Sequence, residues 1–170
     1  MKSKTPGIDA AVGVEYSIEI VRNGTVIDTF KFHNLVPEEG LNHIVNVVLK
    51  GAAQTSQWFL GLFEGNYNPH TTDRAATIPQ AATECVNYLP TDRPQLLTGE
   101  TVGGVADNSA SRAEFTFASA RTVYGAFITP SRVKGSATGP LLSIARFPTP
   151  KNVEADDSLR VSASFTARSI

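Results

Sequence analysis

An unbroken alternation of apolar and polar residues runs from Leu159 to Arg168. The odd-numbered positions from Leu159 to Ala167 are apolar, and the even-numbered positions from Arg160 to Arg168 are polar. A period of two residues is typical of a β-strand with one buried side and one solvent-facing side. Such a strand needs a sheet to pair with, so the sequence predicts a β-rich domain.

A second strong signal is a β-hairpin near the start of the sequence. Apolar and polar residues alternate over 14–20, Asn23-Gly24 follows, and an apolar-rich segment returns over Thr25–Phe32. Asn-Gly favours a two-residue hairpin turn because both positions tolerate positive φ. Further strands are predicted at residues 57–63, 113–117, 122–129 and 141–147, with turns rich in Gly, Pro and Asp between them.

One α-helix is predicted over residues 37–50. Pro37 suits the first helical position, Glu38 and Glu39 complement the helix dipole in the first turn, and Gly51 provides a stop. An apolar stripe recurs at helical spacing, which predicts that the helix lies on the sheet or closes one end of a barrel. The stripe consists of Leu41, Ile44, Val45 and Val48.

The predicted organisation is a flexible N-terminal arm, residues 1–12, followed by a single domain, residues 13–170. A long irregular loop is predicted over 64–104, with a short helical turn at 80–85, because four prolines and several Asn and Gly residues interrupt any periodicity there. Loops of this length in compact domains are usually functional. The fold class is therefore expected to be mainly β, an antiparallel β-sandwich or jelly-roll-like domain with one helix.

Composition favours a protein partner. The chain of 170 residues carries 15 Lys and Arg against 16 Asp and Glu, a net charge of −1 that gives no support for nucleic-acid binding. No apolar run approaches the roughly 18 residues of a membrane span, and the first ten residues lack the apolar core of a secretory signal. We expect no membrane partner, synthesis in a cytoplasm, and a buried, unreactive Cys85.

No residue pattern indicates catalysis or metal binding. The histidines stand apart from other ligands, the acids near the last strand are typical of a solvated turn, and no carboxylate pair is selected by spacing. We therefore expect no enzyme activity, no cofactor and no metal. Trp58 is expected to anchor the core, and Asp73–Arg74 and Asp92–Arg93 to form local ion pairs or caps in the long loop.

Several ordered blocks resemble small structural proteins of tailed bacteriophage virions. They are NLVPEEGLNHIVNVVLKG, WFLGLFEGNYNP and ATECVNYLPTDRPQL in the first part, and DNSASRAEFTF, TVYGAFIT and GPLLSIARFPTPKNVEADDSLRVSASFTA in the second. The resemblance spans residues 34–167. One departure is Asp156-Asp157, where relatives are expected to have a Gly-Asp turn before the last strand.

The resemblance implies a non-enzymatic virion protein on the capsid surface, first a cement or decoration protein that stabilises neighbouring major capsid subunits. The implied partners are the major capsid protein and further copies of this chain in the shell. A tail component, either a tube subunit or a tip or fibre module, is the second interpretation, and a carbohydrate-binding β-sandwich is the third. The predicted partner contacts are Lys2, Lys4, Tyr67, Pro69, Tyr88, Leu89, Arg93 and Leu96.

Overall fold

The structure is a computed structural model that describes residues 10–169. One α-helix, α1 (Glu38–Leu49), and a single-turn π-helix at Ile78–Ala82 accompany the strands. The strands of the described residues are β1 (Ala10–Arg22), β2 (Thr25–His33), β3 (Phe59–Phe63), β4 (Glu84–Cys85), β5 (Val105–Asp107), β6 (Ala113–Thr116), β7 (Arg121–Thr129), β8 (Ser143–Val153) and β9 (Ser158–Ser169).

The strands form two antiparallel sheets that pack face to face. The first sheet has the order β2–β1–β9, and β5 and β6 both pair with the far side of β9; the second has the order β4–β3–β7–β8. The main core lies between them, so the predicted mainly β, sandwich-like fold is confirmed. Jelly-roll connectivity stays a prediction.

The two strongest local signals correspond to paired strands. Asn23 and Gly24 have φ of 49° and 75°, as the hairpin turn between β1 and β2 requires. The terminal alternation forms β9, which pairs with β1 along nearly its whole length. Strand β1 begins at Ala10, so residues 10–12 of the predicted arm belong to the sheet, and residues 1–9 lie outside the described residues.

The long segment 64–104 covers the outer face of the second sheet. A second hydrophobic cluster lies there, formed by Phe63 and Phe127 of the sheet and by Ala75, Ile78 and Ala82 of the segment. The helical turn predicted at 80–85 is found at 78–82, and β4 follows it. All five residues of β3 are buried, so this strand is covered on both faces.

Two glycines allow this second core to form. Gly61 lies opposite Phe127 and Phe63 lies opposite Gly125 across the β3–β7 pair. A Cβ atom at Gly61 would lie 2.2 Å from the Phe127 ring, and one at Gly125 would lie 2.2 Å from the Phe63 ring. Each aromatic ring therefore covers a glycine of the neighbouring strand.

Helix α1 turns a different face inward from the one that its apolar stripe predicts. Gly40 is buried so closely that a Cβ would lie 2.8 Å from the carbonyl oxygens of Leu141 and Leu142. On the same side, the Glu39 carboxylate accepts hydrogen bonds from the backbone N–H groups of Ala75, at 2.9 Å, and Leu141, at 2.7 Å. These contacts fix the rotation of the helix. Of the predicted stripe, only Ile44 packs against the core.

Strand β8 forms the outer edge of the second sheet and contains a wide bulge. Gly125 of β7 pairs with Arg146 and Val123 pairs with Lys151, so that Tyr124 alone lies opposite residues 147–150. The bulge contains Pro148 and Pro150, which carry no N–H group. The Phe147 ring in this bulge packs edge-on against the Phe30 ring of β2, at a centroid distance of 5.1 Å.

The turn before β9 is held by a buried carboxylate. Asp157 is 1% exposed and accepts two hydrogen bonds from Arg22, from Nε at 2.9 Å and from Nη2 at 2.7 Å, and a third from the Glu154 N–H at 2.8 Å. The hydrogen bonds from Arg22 hold the pKa of Asp157 below its usual range. Asp156 has φ of 67°, a conformation that favours glycine.

Gly61→Ala tests the contact between Gly61 and the Phe127 ring. The added methyl group has no room, so we expect the free energy of unfolding to fall by roughly 1–3 kcal/mol in urea denaturation. Gly13→Ala in β1 is the control, because its nearest neighbour would be Asn34 Oδ1 at 3.8 Å. Equal stability of the two variants would contradict the close packing at Gly61.

Asp157→Asn tests how much the charge of the buried Asp157 carboxylate contributes to the free energy of unfolding. Because the pKa of Asp157 is lower in the folded chain than its ordinary value, its stabilising effect is present above pH 4. That effect is lost as the pH falls through the folded pKa. We expect the variant to lose about 1–3 kcal/mol at pH 7 and to show a weaker decline of stability from pH 5 to pH 2. Asp156→Asn, at an exposed neighbour, should retain the wild-type pH profile in urea titrations.

Candidate protein-interaction surface

The structure divides the predicted partner contacts between the surface and the interior. Leu89 is 62% exposed, whereas Tyr88 is 4% exposed and Arg93 is 2% exposed. Tyr67 and Pro69 are half-buried, and Tyr67 packs on the second core. Leu96 packs against the main core, and Lys2 and Lys4 lie outside the described residues. The six predicted contacts that the structure describes therefore do not share one exposed patch.

Arg93 is the centre of a buried polar cluster. Its Nε and Nη2 atoms donate to the two carboxylate oxygens of Glu84, both at 2.7 Å. Nη1 donates to the carbonyl oxygen of Ser131, at 2.9 Å, and Nη2 also donates to the carbonyl oxygen of Ser136, at 3.0 Å. The guanidinium also lies over the Phe127 ring, 5.1 Å from its centroid. Arg93 therefore holds the long segment on the sheet, and its side chain is not available to a partner.

The acids expected beside the loop arginines have other partners. Asp92 pairs with Arg132 at 3.4 Å on the surface, and Asp73 accepts a 2.6 Å hydrogen bond from the Tyr67 hydroxyl. Neither predicted ion pair is present. Asp73 also accepts a local hydrogen bond from the His70 N–H group at 2.9 Å, in accord with the predicted alternative of a cap.

Lys134 holds the backbone around Tyr88 in place. Its ammonium lies 3.6 Å from the centroid of the Tyr88 ring and donates to the carbonyl oxygens of Val86, at 3.1 Å, and Tyr88, at 2.8 Å. Burial lowers the pKa of Lys134 and raises that of the Tyr88 hydroxyl. The Tyr88 ring meets Phe115 edge-on, so this predicted contact residue belongs to the core.

The outer face of α1 is the most concentrated exposed apolar surface of the described residues. Leu41, Val45, Val48 and Leu49 are 41%, 45%, 71% and 77% exposed. Their spacing of i, i+4, i+7 and i+8 places them on one side of the helix, opposite buried Gly40. We call these four residues the α1 surface. Contiguous exposed apolar residues of this kind are typical of protein interaction sites.

An apolar cavity of about 270 Å³ adjoins the α1 surface. It enters the sandwich between the two sheets beside the helix, and Val48 lies at its mouth. We call it the α1 cavity. Its lining residues are Val14, His43, Ile44, Val47, Val48, Gln54, Thr55, Trp58, Leu96, Thr98, Ala106, Ile128, Leu142, Ala163 and Phe165.

Trp58 packs against the main core as predicted, and it also lines the α1 cavity. Its ring meets the His43 imidazole edge-on at a centroid distance of 5.5 Å, and the His43 Nε2 atom lies 3.2 Å from the Thr55 hydroxyl.

The pKa values of the Cys85 thiol and the Tyr67 hydroxyl are both raised. Burial raises the pKa of the Cys85 thiol to about 12, so the nucleophilic thiolate is scarce near neutral pH. Burial and the neighbouring Asp73 carboxylate likewise raise the pKa of Tyr67 to about 12. Within residues 10–169, no group of three or more His, Cys, Asp or Glu side chains is arranged to hold a metal ion.

The comparisons with known proteins assign no family to the chain. No family model matches it, and no curated protein matches it. Among the described residues, no helix has the length and apolar character needed to cross a bilayer.

The sequence predicts the apolar stripe of α1, but most of that stripe faces solvent and does not pack against the sheet. The available signal was Gly40, because a glycine within a helix is frequently a point of close packing. The Glu84–Arg93 pair carried no comparable signal, since the two residues are nine positions apart in a segment without periodicity.

Arg93→Met tests whether the ion pair holds the long segment in place. The substitution leaves a buried Glu84 carboxylate without its partner, so we expect a loss of about 3–5 kcal/mol in urea denaturation. The double variant Glu84→Gln, Arg93→Met should recover part of this loss. Arg132→Met is the control, because its exposed pair with Asp92 contributes about 0–1 kcal/mol. A loss in the control as large as in Arg93→Met would rule out the anchoring role.

Proposed function

We propose that this chain is a non-enzymatic structural protein of a tailed-bacteriophage virion, and specifically a capsid cement or decoration protein. The observation that carries the proposal is the α1 surface, a row of exposed apolar side chains on a helix whose other face is fixed to the sandwich. The sequence blocks that resemble virion proteins supply the class of partner, and the neutral charge balance fits a protein surface.

The mechanism is adhesion through repeated contacts. The α1 surface packs against a neighbouring major capsid subunit and removes its apolar side chains from water. Leu89 and the N-terminal residues Lys2 and Lys4 remain proposed additional contacts. A standard interface buries about 800 Å² on each partner, more than four side chains supply, so a single contact is weak. Repetition over a shell and linkage between subunits make the total strong.

The rigidity of the surface supports this role. Helix α1 is held at Gly40 by close backbone packing and at Glu39 by two hydrogen bonds to distant segments. A partner that binds the α1 surface therefore meets a preformed shape and does not have to order it. Preformed surfaces bind more tightly because less conformational entropy is lost on association.

Val45→Glu tests the proposal directly. The charge would be placed in the apolar contact, so we expect at least a tenfold loss of affinity for capsid shells that lack this protein, or about 1.4 kcal/mol. Co-sedimentation with purified shells measures the binding, and phage tails serve as the parallel sample. Val26→Glu is the matched control, because Val26 on β2 is 46% exposed against 45% for Val45.

The other outcomes distinguish the remaining interpretations. Binding to tails but not to shells, or self-assembly into tubes, would replace the capsid role with a tail role. Binding to neither, together with quenching of Trp58 fluorescence by a sugar, would favour a carbohydrate-binding module. Equal binding of Val45→Glu and the wild type would exclude the α1 surface as the contact.

A further inference from the structure

The α1 cavity reaches from the surface into the main core. Its deepest lining residues, Val14, Ile128 and Ala163, are between 1% and 2% exposed. They belong to β1, β7 and β9, which are central strands of the two sheets. The bottom of the cavity is therefore formed by paired strands, and its mouth is formed by α1 and by loop residues.

The chemistry of the cavity changes from its interior to its mouth. The interior is formed by aliphatic side chains and by the rings of Trp58 and Phe165. Polar groups lie toward the solvent, where Gln54 is exposed and Thr55 meets the His43 Nε2 atom at 3.2 Å. Pockets for small molecules commonly combine an apolar interior with a few polar groups that orient the ligand.

We propose that the α1 cavity binds a small, uncharged, mainly hydrocarbon molecule with at most one polar group, which points to the His43 and Thr55 side of the mouth. An apolar cavity of about 150 Å³ is large enough for benzene. The α1 cavity, at about 270 Å³, is therefore large enough for a molecule with two fused aromatic rings.

Two alternative occupants fit the cavity less well. A sugar would bring many hydroxyl groups into an interior that offers almost no hydrogen-bond partners, and each unpaired group would weaken binding. A flat protein surface would cover the mouth but would not reach Ile128 and Ala163 at the bottom. A compact hydrocarbon body reaches them and contacts the apolar walls.

The experiment uses the neutral fluorophore 1-aminonaphthalene, which has two fused rings, with the purified 170-residue chain. We expect a saturable rise in probe fluorescence with one molecule bound per chain. The emission of Trp58 should fall in parallel, because Trp58 is the one tryptophan and lies in the cavity wall. Naphthalene should displace the probe, whereas glucose and a charged naphthalene disulfonate should not.

A variant in which the α1 cavity is partly filled tests whether the probe binds there. Ala106→Leu adds volume to the wall, so we expect at least a tenfold loss of probe affinity. Ala167→Leu is the control, because Ala167 is exposed on β9 and does not line the cavity. Circular dichroism and thermal unfolding check both folds, and Thr98→Leu at the mouth replaces Ala106→Leu if that variant does not fold.

The results separate this proposal from the proposed shell-binding function. Val45 does not line the cavity, so Val45→Glu should lose shell binding and retain probe binding. The proposal is overturned if no saturable binding occurs, or if the Leu variants bind the probe as the wild type does. It is also overturned if glucose displaces the probe, or if the Trp58 signal depends on protein concentration alone.

Discussion

The buried ion pair between Arg93 and Glu84 is the interaction on which the outer layer of the protein depends. It joins two points of a segment that has little regular structure of its own, and Arg93 also reaches the carbonyl oxygens of Ser131 and Ser136. Charged groups at this depth are stable only when their hydrogen bonds are satisfied. Here the two side chains satisfy one another and bind three separate parts of the chain together.

The second sheet can be buried on both faces because of this layer. Its inner face meets the first sheet, and its outer face is covered by the segment that includes Ile78 and Ala82. On that outer face the Phe127 ring lies over Gly61 and the Phe63 ring lies over Gly125, where no side chain competes for the space. The long loop is thus a structural layer, and the most concentrated exposed apolar surface of the described residues lies on α1.

The sequence predicted the elements whose signals are local. Alternation over Leu159–Arg168 and the Asn23-Gly24 turn depend on neighbouring residues, so they were sufficient to predict β9 and the first hairpin. The orientation of α1 depends on backbone at Leu141, a hundred residues after Gly40, which no local pattern encodes. Adjacency in sequence likewise predicts Asp92 as the partner of Arg93. It does not indicate which carboxylate becomes buried, and the partner in the structure is Glu84.

The proline-containing bulge of β8 limits what the second sheet can join. An exposed strand edge offers N–H and C=O groups to any other strand, and crowded copies of one chain can then extend a common sheet without limit. Pro148 and Pro150 remove two donors from this edge, and the bulge interrupts its regular spacing. Over residues 147–150, β8 therefore offers a second strand no regular ladder of hydrogen bonds along which a sheet could be extended.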